Sequence, residues 1–457
     1  MSSHLEGRRR GRALVAALTL SLLAAPGLGV TAVAAPTEPS TPSPSLSTDT
    51  VTEPEDLWRG QQFWLEEYGF TTAWERSRGE GVTVAVIDTG IDGSHPDLTG
   101  QVVGGTDVSG LGSSSGDQPI GEGSEHGTLV ASVLAGHGHD PGGEPGPGDA
   151  GILGVAPEAQ LLSISVHLGD DRPGVPPAEE QIPQAVRWAV DQGADIINMS
   201  LVSTRTDWPE SWDEAFLYAE QNDVLVVAAA GNRASGTHTA GAPATIPGVL
   251  TVAGLDERGQ ASWDASTQGI SIGVAAPADP LVGALPGGGH GIWSGTSGAA
   301  PLVAGLAALI RSADPQMPAH QVMHRIRATA RDAGAPGEDP VYGHGIIDAA
   351  AAVTAEIPAV ERAPQDSLAE WIRVNRRAEA GADQSAAETT PTDRVAPGRP
   401  VVTAAPQGQP TALPPAAEPA DPAPGLAPAL LLGTLLAAAA SVTAGVVVYR
   451  RSRRDTA

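Results

Sequence analysis

Val82-Thr83-Val84-Ala85-Val86-Ile87-Asp88-Thr89-Gly90 is the stretch that decides the fold. Six β-branched or apolar residues in a row read as a strand buried on both faces, and the run stops at a carboxylate followed by a turn glycine. Val224 to Ala229 repeats the apolar run, while Glu179 to Gln192 and Ala299 to Arg311 carry helical periodicity. Strands alternating with helices predict an α/β domain: three layers, with a mostly parallel central sheet and helices on both faces. In such a sheet Asp88 lies at the carboxyl edge, where open α/β folds place their ligands.

Outward from Asp88, three further motifs carry chemistry. His126 stands in Glu125-His126-Gly127-Thr128 at the start of a compact apolar helix pattern, suited to a general base. Ser297 stands in Ser294-Gly295-Thr296-Ser297-Gly298-Ala299-Ala300-Pro301, where a glycine turn feeds a long apolar helix. A serine there presents its hydroxyl at a tight turn and leaves its N–H free for an oxyanion. Pro301 is expected to fall within the first helical turn, where N–H groups have no partner. Asn232 follows the strand ending at Ala230 through Gly231, so its amide can supply a second oxyanion donor. Each residue alone has an ordinary explanation: a turn Asp, a structural His, an N-cap Ser, a turn Asn. Asp-Thr-Gly also occurs in aspartic proteases, but those need two such carboxylates and no second copy occurs here.

Together, Asp88-Thr-Gly, His126-Gly-Thr, Ala230-Gly-Asn232 and Gly295-Thr-Ser297 with Ala-Ala-Pro after it resemble the subtilisin-like serine proteases over roughly residues 79–352. The resemblance implies a subtilisin-like fold and a triad of Asp88, His126 and Ser297, with Asn232 in the oxyanion hole and no cofactor. Ser200, Leu201, Val202 and Gly231 would bind a protein or peptide substrate. Val202 and Ser203 stand where that family usually has glycines, so the expectation is a narrowed pocket that takes small P1 side chains. Gly298 replaces a bulky apolar residue, and Glu125 a small one. No Asp/Asn loop has a spacing that marks a calcium site, and the Gly- and Pro-flanked His137-Gly-His139-Asp140 reads as a flexible insertion, so no metal ligand is assigned. Asn198-Met-Ser200 matches a glycosylation acceptor but lies in an apolar strand.

The ends of the chain read as addresses. Residues 1–34 hold Arg8, Arg9, Arg10 and Arg12, an apolar run and Ala32-Val33-Ala34, the layout of a signal peptide. Residues 35–55 read as a disordered Ser/Thr/Pro tether, 56–358 as the peptidase domain with its N-terminal extension, and 359–425 as a Pro/Ala-rich linker. Residues 426–449 contain the uncharged run Ala429 to Val448, long enough for one transmembrane helix. The tail 450–457 carries Arg450, Arg451, Arg453 and Arg454, which places the C-terminus in the cytoplasm and the catalytic domain outside. This layout, with Gln61-Gln-Phe-Trp-Leu65 before the first strand, resembles the mycosins, membrane-anchored proteases associated with type VII secretion. Mycosins usually carry disulfides, whereas this chain has no cysteine. The likeness implies a secretion complex as partner. It leaves two functions open: an active endopeptidase, or a structural subunit of that complex.

Composition excludes other classes. A net charge of -27 would repel nucleic acid, and the absence of cysteine removes thiol nucleophiles and thiolate metal sites.

Overall fold

The computed structural model describes residues 56–142, 146–169 and 172–376. The expected signal peptide, tether, transmembrane segment and basic tail, and the linker beyond Arg376, lie outside the described residues. Two short helices, α1 (Trp64–Glu67) and α2 (Phe70–Ala73), precede strand β1 (Thr83–Asp88). There follow β2 (Val102–Asp107), α3 (His126–Ala135), β3 (His137–His139), β4 (Ala150–Leu153), β5 (Gln160–Ser165), α4 (Ala178–Asp191), β6 (Ile196–Met199), α5 (Glu210–Gln221), β7 (Leu225–Ala229), β8 (Leu250–Asp256) and β9 (Ile272–Asp279). The hairpin β10 (Leu281–Leu285) and β11 (Gly289–Trp293) leads into α6 (Thr296–Ala313), then α7 (Ala319–Thr329), α8 (Ala349–Thr354) and α9 (Leu368–Val374).

Seven strands form one parallel sheet in the order β2-β5-β1-β6-β7-β8-β9. The inner strands β1, β6, β7 and β8 are almost wholly buried because both faces are covered, whereas the edge strand β2 is mostly half-buried. Helices α3, α6, α7 and α8 pack on one face with Val130, Leu302, Val322 and Ala349; α4, α5 and α9 pack on the other with Ile182, Phe216 and Leu368. The expected three layers are present. The chain runs outward from β1 to β2 and β5, then returns to β6 on the other side of β1. That reversal opens a crevice at the carboxyl ends of β1 and β6.

Two helix prolines direct side chains to specific carbonyls. Pro183 in α4 lacks the N–H that would bond the Glu179 carbonyl, and Trp212 Nε1 donates to that oxygen instead, at 3.1 Å. Pro301 lies beyond the first turn of α6, not within it as expected, because the helix begins at Thr296. Its missing N–H frees the Ser297 carbonyl, which accepts from Ser200 Oγ at 2.8 Å. Among the described residues α6 is the one helix long and apolar enough to cross a membrane, and it is the central core helix, 83% buried over that window.

Residues 359–376, expected as the start of the linker, are part of the fold. Residues up to Arg376 fold onto α5: Leu368 is 1% exposed, and Glu220 accepts from the Leu368 N–H at 2.7 Å and the Ser367 hydroxyl at 3.1 Å. Trp371 packs on Trp208 at 4.6 Å between ring centroids, and Arg376 pairs with Asp213 at 3.0 Å. The short amphipathic stretch covers an apolar face that α5 and Trp208 would otherwise expose to water.

Candidate active site

Asp88 is the last residue of β1 and its side chain is 3% exposed. Its Oδ1 accepts from the Thr89 N–H at 2.7 Å, and its two oxygens face His126 Nδ1 at 2.8 and 3.0 Å. A carboxylate only accepts, so Nδ1 carries the proton and the neutral ring presents a bare Nε2. Thr89 ties the two motifs together: its hydroxyl donates to the Ser124 carbonyl and accepts from the Gly127 N–H at the start of α3, each at 3.0 Å. Burial pulls the His126 pKa down, but the charge and hydrogen bond of Asp88, with a smaller contribution from Glu125, outweigh it. The imidazole ends above its ordinary value of 6.5.

Ser297 occupies the first turn of α6, where backbone N–H groups lack intrahelical partners. Its Oγ donates to the Ser200 carbonyl at 3.0 Å, and among the described residues no hydrogen bond joins it to His126. Contacts between a nucleophile and its base are commonly long before substrate binds. Asn232 follows β7, and its Oδ1 accepts from both the N–H and the hydroxyl of Thr296, at 2.8 and 2.9 Å. That anchorage commits the amide orientation and leaves Nδ2 as the donor end. Thr296 Oγ1 in turn accepts from the Gly231 N–H at 3.0 Å. A Cβ on Gly295 would lie 2.9 Å from Asn232 Nδ2, which explains a glycine there, at φ 143°.

Asp88, His126, Asn232 and Ser297 line one cleft of about 750 Å³ together with Ser200, Leu201, Val202 and Gly231. Every residue expected from the sequence is therefore at one place. Residues 200–202 leave β6 at its carboxyl end, and a Val202 methyl lies 3.2 Å from where a Cβ on Gly231 would stand. The Val202 side chain thus fills space between the two walls of the cleft. A side chain at Gly298 would meet Leu281 at 2.3 Å and Trp293 at 3.3 Å, so those two residues occupy the room a bulky neighbour of the serine would need.

Sequence reasoning missed Thr296, although it sits inside the serine motif, and Trp293, whose ring meets His126 edge-on at 5.9 Å. It also missed what His139 faces. His137 turns its ring nitrogens to the carbonyls of Gly138 and Thr99, whereas His139 Nδ1 lies 2.5 Å from Asp97. Asn198 is fully buried in β6 with Nδ2 bonded to Ser200 Oγ, out of reach of a glycan.

The Subtilase family, Peptidase S8, matches residues 79–345. Fervidolysin of Fervidobacterium pennivorans is 31% identical over 332 residues, covering 64% of this chain and 44% of its own length. Subtilisin E of Bacillus subtilis (strain 168) is 37% identical over 279 residues, covering 60% of this chain and 66% of its own. The chain thus spans less than two thirds of these relatives. Among solved structures, the MycP3 protease from the type VII (ESX-3) secretion system superposes with a TM-score of 0.54 at 32% identity, over 67% of this chain and 90% of that one.

Proposed function

The chain belongs to the subtilase family, and from that premise we propose that it is a serine endopeptidase acting through an acyl-enzyme. Ser297 Oγ attacks the scissile carbonyl while its proton passes to His126 Nε2. Asp88 holds the imidazolium that forms, and the Asn232 Nδ2–H and Ser297 N–H take the charge on the tetrahedral oxygen. The C–N bond then breaks as His126 gives its proton to the leaving amine. Water, deprotonated by the same imidazole, releases the acid and restores Ser297. The reaction uses no cofactor. The observation that carries this reading is the pairing of Asp88 with His126 Nδ1 at 2.8 Å in the cleft that also holds Ser297 and the Thr296-anchored Asn232.

The finer reading is a protease held at the membrane by residues 426–449, with its catalytic domain outside, Ser200, Leu201, Val202 and Gly231 binding protein or peptide substrates, and a type VII secretion complex as partner. Its support is the order of segments in the chain and the likeness to MycP3, a protease from the type VII (ESX-3) secretion system. A second reading, a structural subunit of such a complex with dispensable proteolysis, draws on the resting direction of Ser297 Oγ toward Ser200 rather than His126. The test is labelling of the full chain with a fluorophosphonate probe beside its Ser297→Ala variant. Labelling of the first alone is expected, with peptidase kcat falling on the order of 10⁶-fold in the variant, a loss known from triad removal in subtilisin. Equal labelling of both, or of neither, would turn the argument to the structural reading.

A further inference from the structure

Beside the catalytic cleft lies a second chamber of about 350 Å³. Leu168, Leu201 and Val202 line both, so the two adjoin along the segment that leaves β6. Ile182 of α4, Trp208 and Trp212 complete an apolar lining. The charged residues on it, Glu179, Arg205 and Asp207, are exposed, and the last two pair with each other. Such a chamber accepts an uncharged side chain and disfavours a charged one, which would lose its water without finding a partner.

Trp208 is held by α9 and the residue that follows it. Its indole N–H donates to Asp213 Oδ1 at 2.7 Å, and the other oxygen of Asp213 accepts from Arg376 Nε at 3.0 Å. Nη2 of the same guanidinium donates to the Trp208 carbonyl at 3.2 Å. Trp371 packs on the Trp208 ring, and the Arg376 guanidinium lies 5.8 Å from the Trp208 centroid and 5.1 Å from that of Trp371. Trp371 and Arg376 lie beyond residues 79–345, the stretch that matches the subtilase family, so this hold on Trp208 comes from outside the matched domain.

From the reading of residues 200–202 as substrate-binding, we infer that Arg376 is a positioning residue for substrate selection, holding Trp208 as one wall of a chamber that takes a second, apolar side chain of the substrate. The planar guanidinium supplies both of its bonds from one fixed fork, which a flexible ammonium does not. Without it the Asp213 carboxylate, whose side chain is 9% exposed, loses its cation and draws in water. The Trp208 indole is then bonded to a carboxylate that has lost its own anchor, and the wall loses its fixed place. Arg376 acts through Trp208 and touches no reacting atom.

The test uses the full chain carrying Ser297→Ala, so that peptides bind uncut and the outcome does not depend on Ser297 being a nucleophile. The probes are fluorescein-labelled polyalanine peptides with a single leucine moved along them one position at a time, and binding is read by anisotropy. Leucine at one favoured position is expected to tighten binding about tenfold or more over polyalanine, the scale of an apolar group entering a pocket. Arg376→Ala should remove that gain. Arg373→Ala, which takes an exposed arginine from the same helix and leaves Glu370 unpaired, should keep it. A leucine gain that survives Arg376→Ala overturns the inference, and so does an equal fall in affinity for both peptides, the mark of a purely structural role. Should Arg376→Ala fail to fold, Arg376→Lys is read in its place, and an undiminished gain there has the same force. A chain that shows the expected pattern but takes no fluorophosphonate at Ser297 keeps this inference and loses the peptidase reading.

Discussion

Glu125 is the exposed residue immediately before the candidate base, and its charge adds to that of Asp88 in favouring the imidazolium of His126. A base with a raised pKa stays protonated to higher pH, so the acid limb of kcat/KM lies above the ordinary histidine range and activity grows as pH rises through it. Glu125→Gln removes one raising influence and is expected to move that limb to lower pH, by less at high salt because the carboxylate faces solvent. A pH profile of the free enzyme reads this directly; an unmoved limb at low ionic strength would show that Glu125 is electrically silent. Val202 acts by volume instead. With its methyl against Gly231, the cleft between residues 200–202 and 229–231 suits small P1 side chains. Val202→Gly should raise kcat/KM for Phe over Ala at P1, by about 10-fold or more on the scale of apolar pocket discrimination. Efficient cutting after Phe by the unaltered enzyme in a peptide library sinks the idea.

Elements were legible where local pattern and tertiary demand agree. The apolar runs at Val82 and Val224 became β1 and β7, the run at Glu179 became α4, and the catalytic candidates followed because each ends or begins such an element. Legibility failed where meaning depends on contact. The hydrogen bond from His290 to Asp97 joins residues 193 apart, and nothing local to Gly289-His290-Gly291 marks it. His139 stands by sequence in the Gly-flanked His137-Gly-His139-Asp140, whereas its partner Asp97 lies across the fold. The segment at Leu368 carries too few apolar residues to declare a domain element by itself; it is ordered by Trp208, Asp213 and Glu220 on α5 and the loop before it. Pro301 lies one turn further into α6 than a helix starting at Ala299 implies, and the Ser200 hydroxyl that serves the Ser297 carbonyl it frees comes from 97 residues away.

At the scale of the whole molecule, the proposed reading divides the chain into a folded catalytic domain and a C-terminal segment that carries the address. Among the described residues the last helix is seated by Trp371 on Trp208, by Glu220 at its start and by Arg376, which pairs with Asp213 and lies over Trp208 and Trp371, so a chain ending after Arg376 retains these contacts. The run Ala429 to Val448 has the length of a hydrocarbon core at about 1.5 Å per residue, and on the proposed reading the arginines after it would hold their end in the cytoplasm. Folding and anchoring are separable on this reading, and one comparison tests both. The full chain, expressed in a host with a single bacterial membrane, is expected to pellet with membranes and resist a carbonate wash, whereas a chain stopped after Arg376 should be released to the medium with unchanged Tm and unchanged probe labelling. Protease added to intact cells should remove the catalytic domain of the full chain and spare only a short C-terminal fragment. Release of the full chain by carbonate would break the proposed anchor and leave the peptidase assignment standing. Loss of labelling on truncation, with Tm held, would instead tie the activity of Ser297 to residues beyond the folded domain.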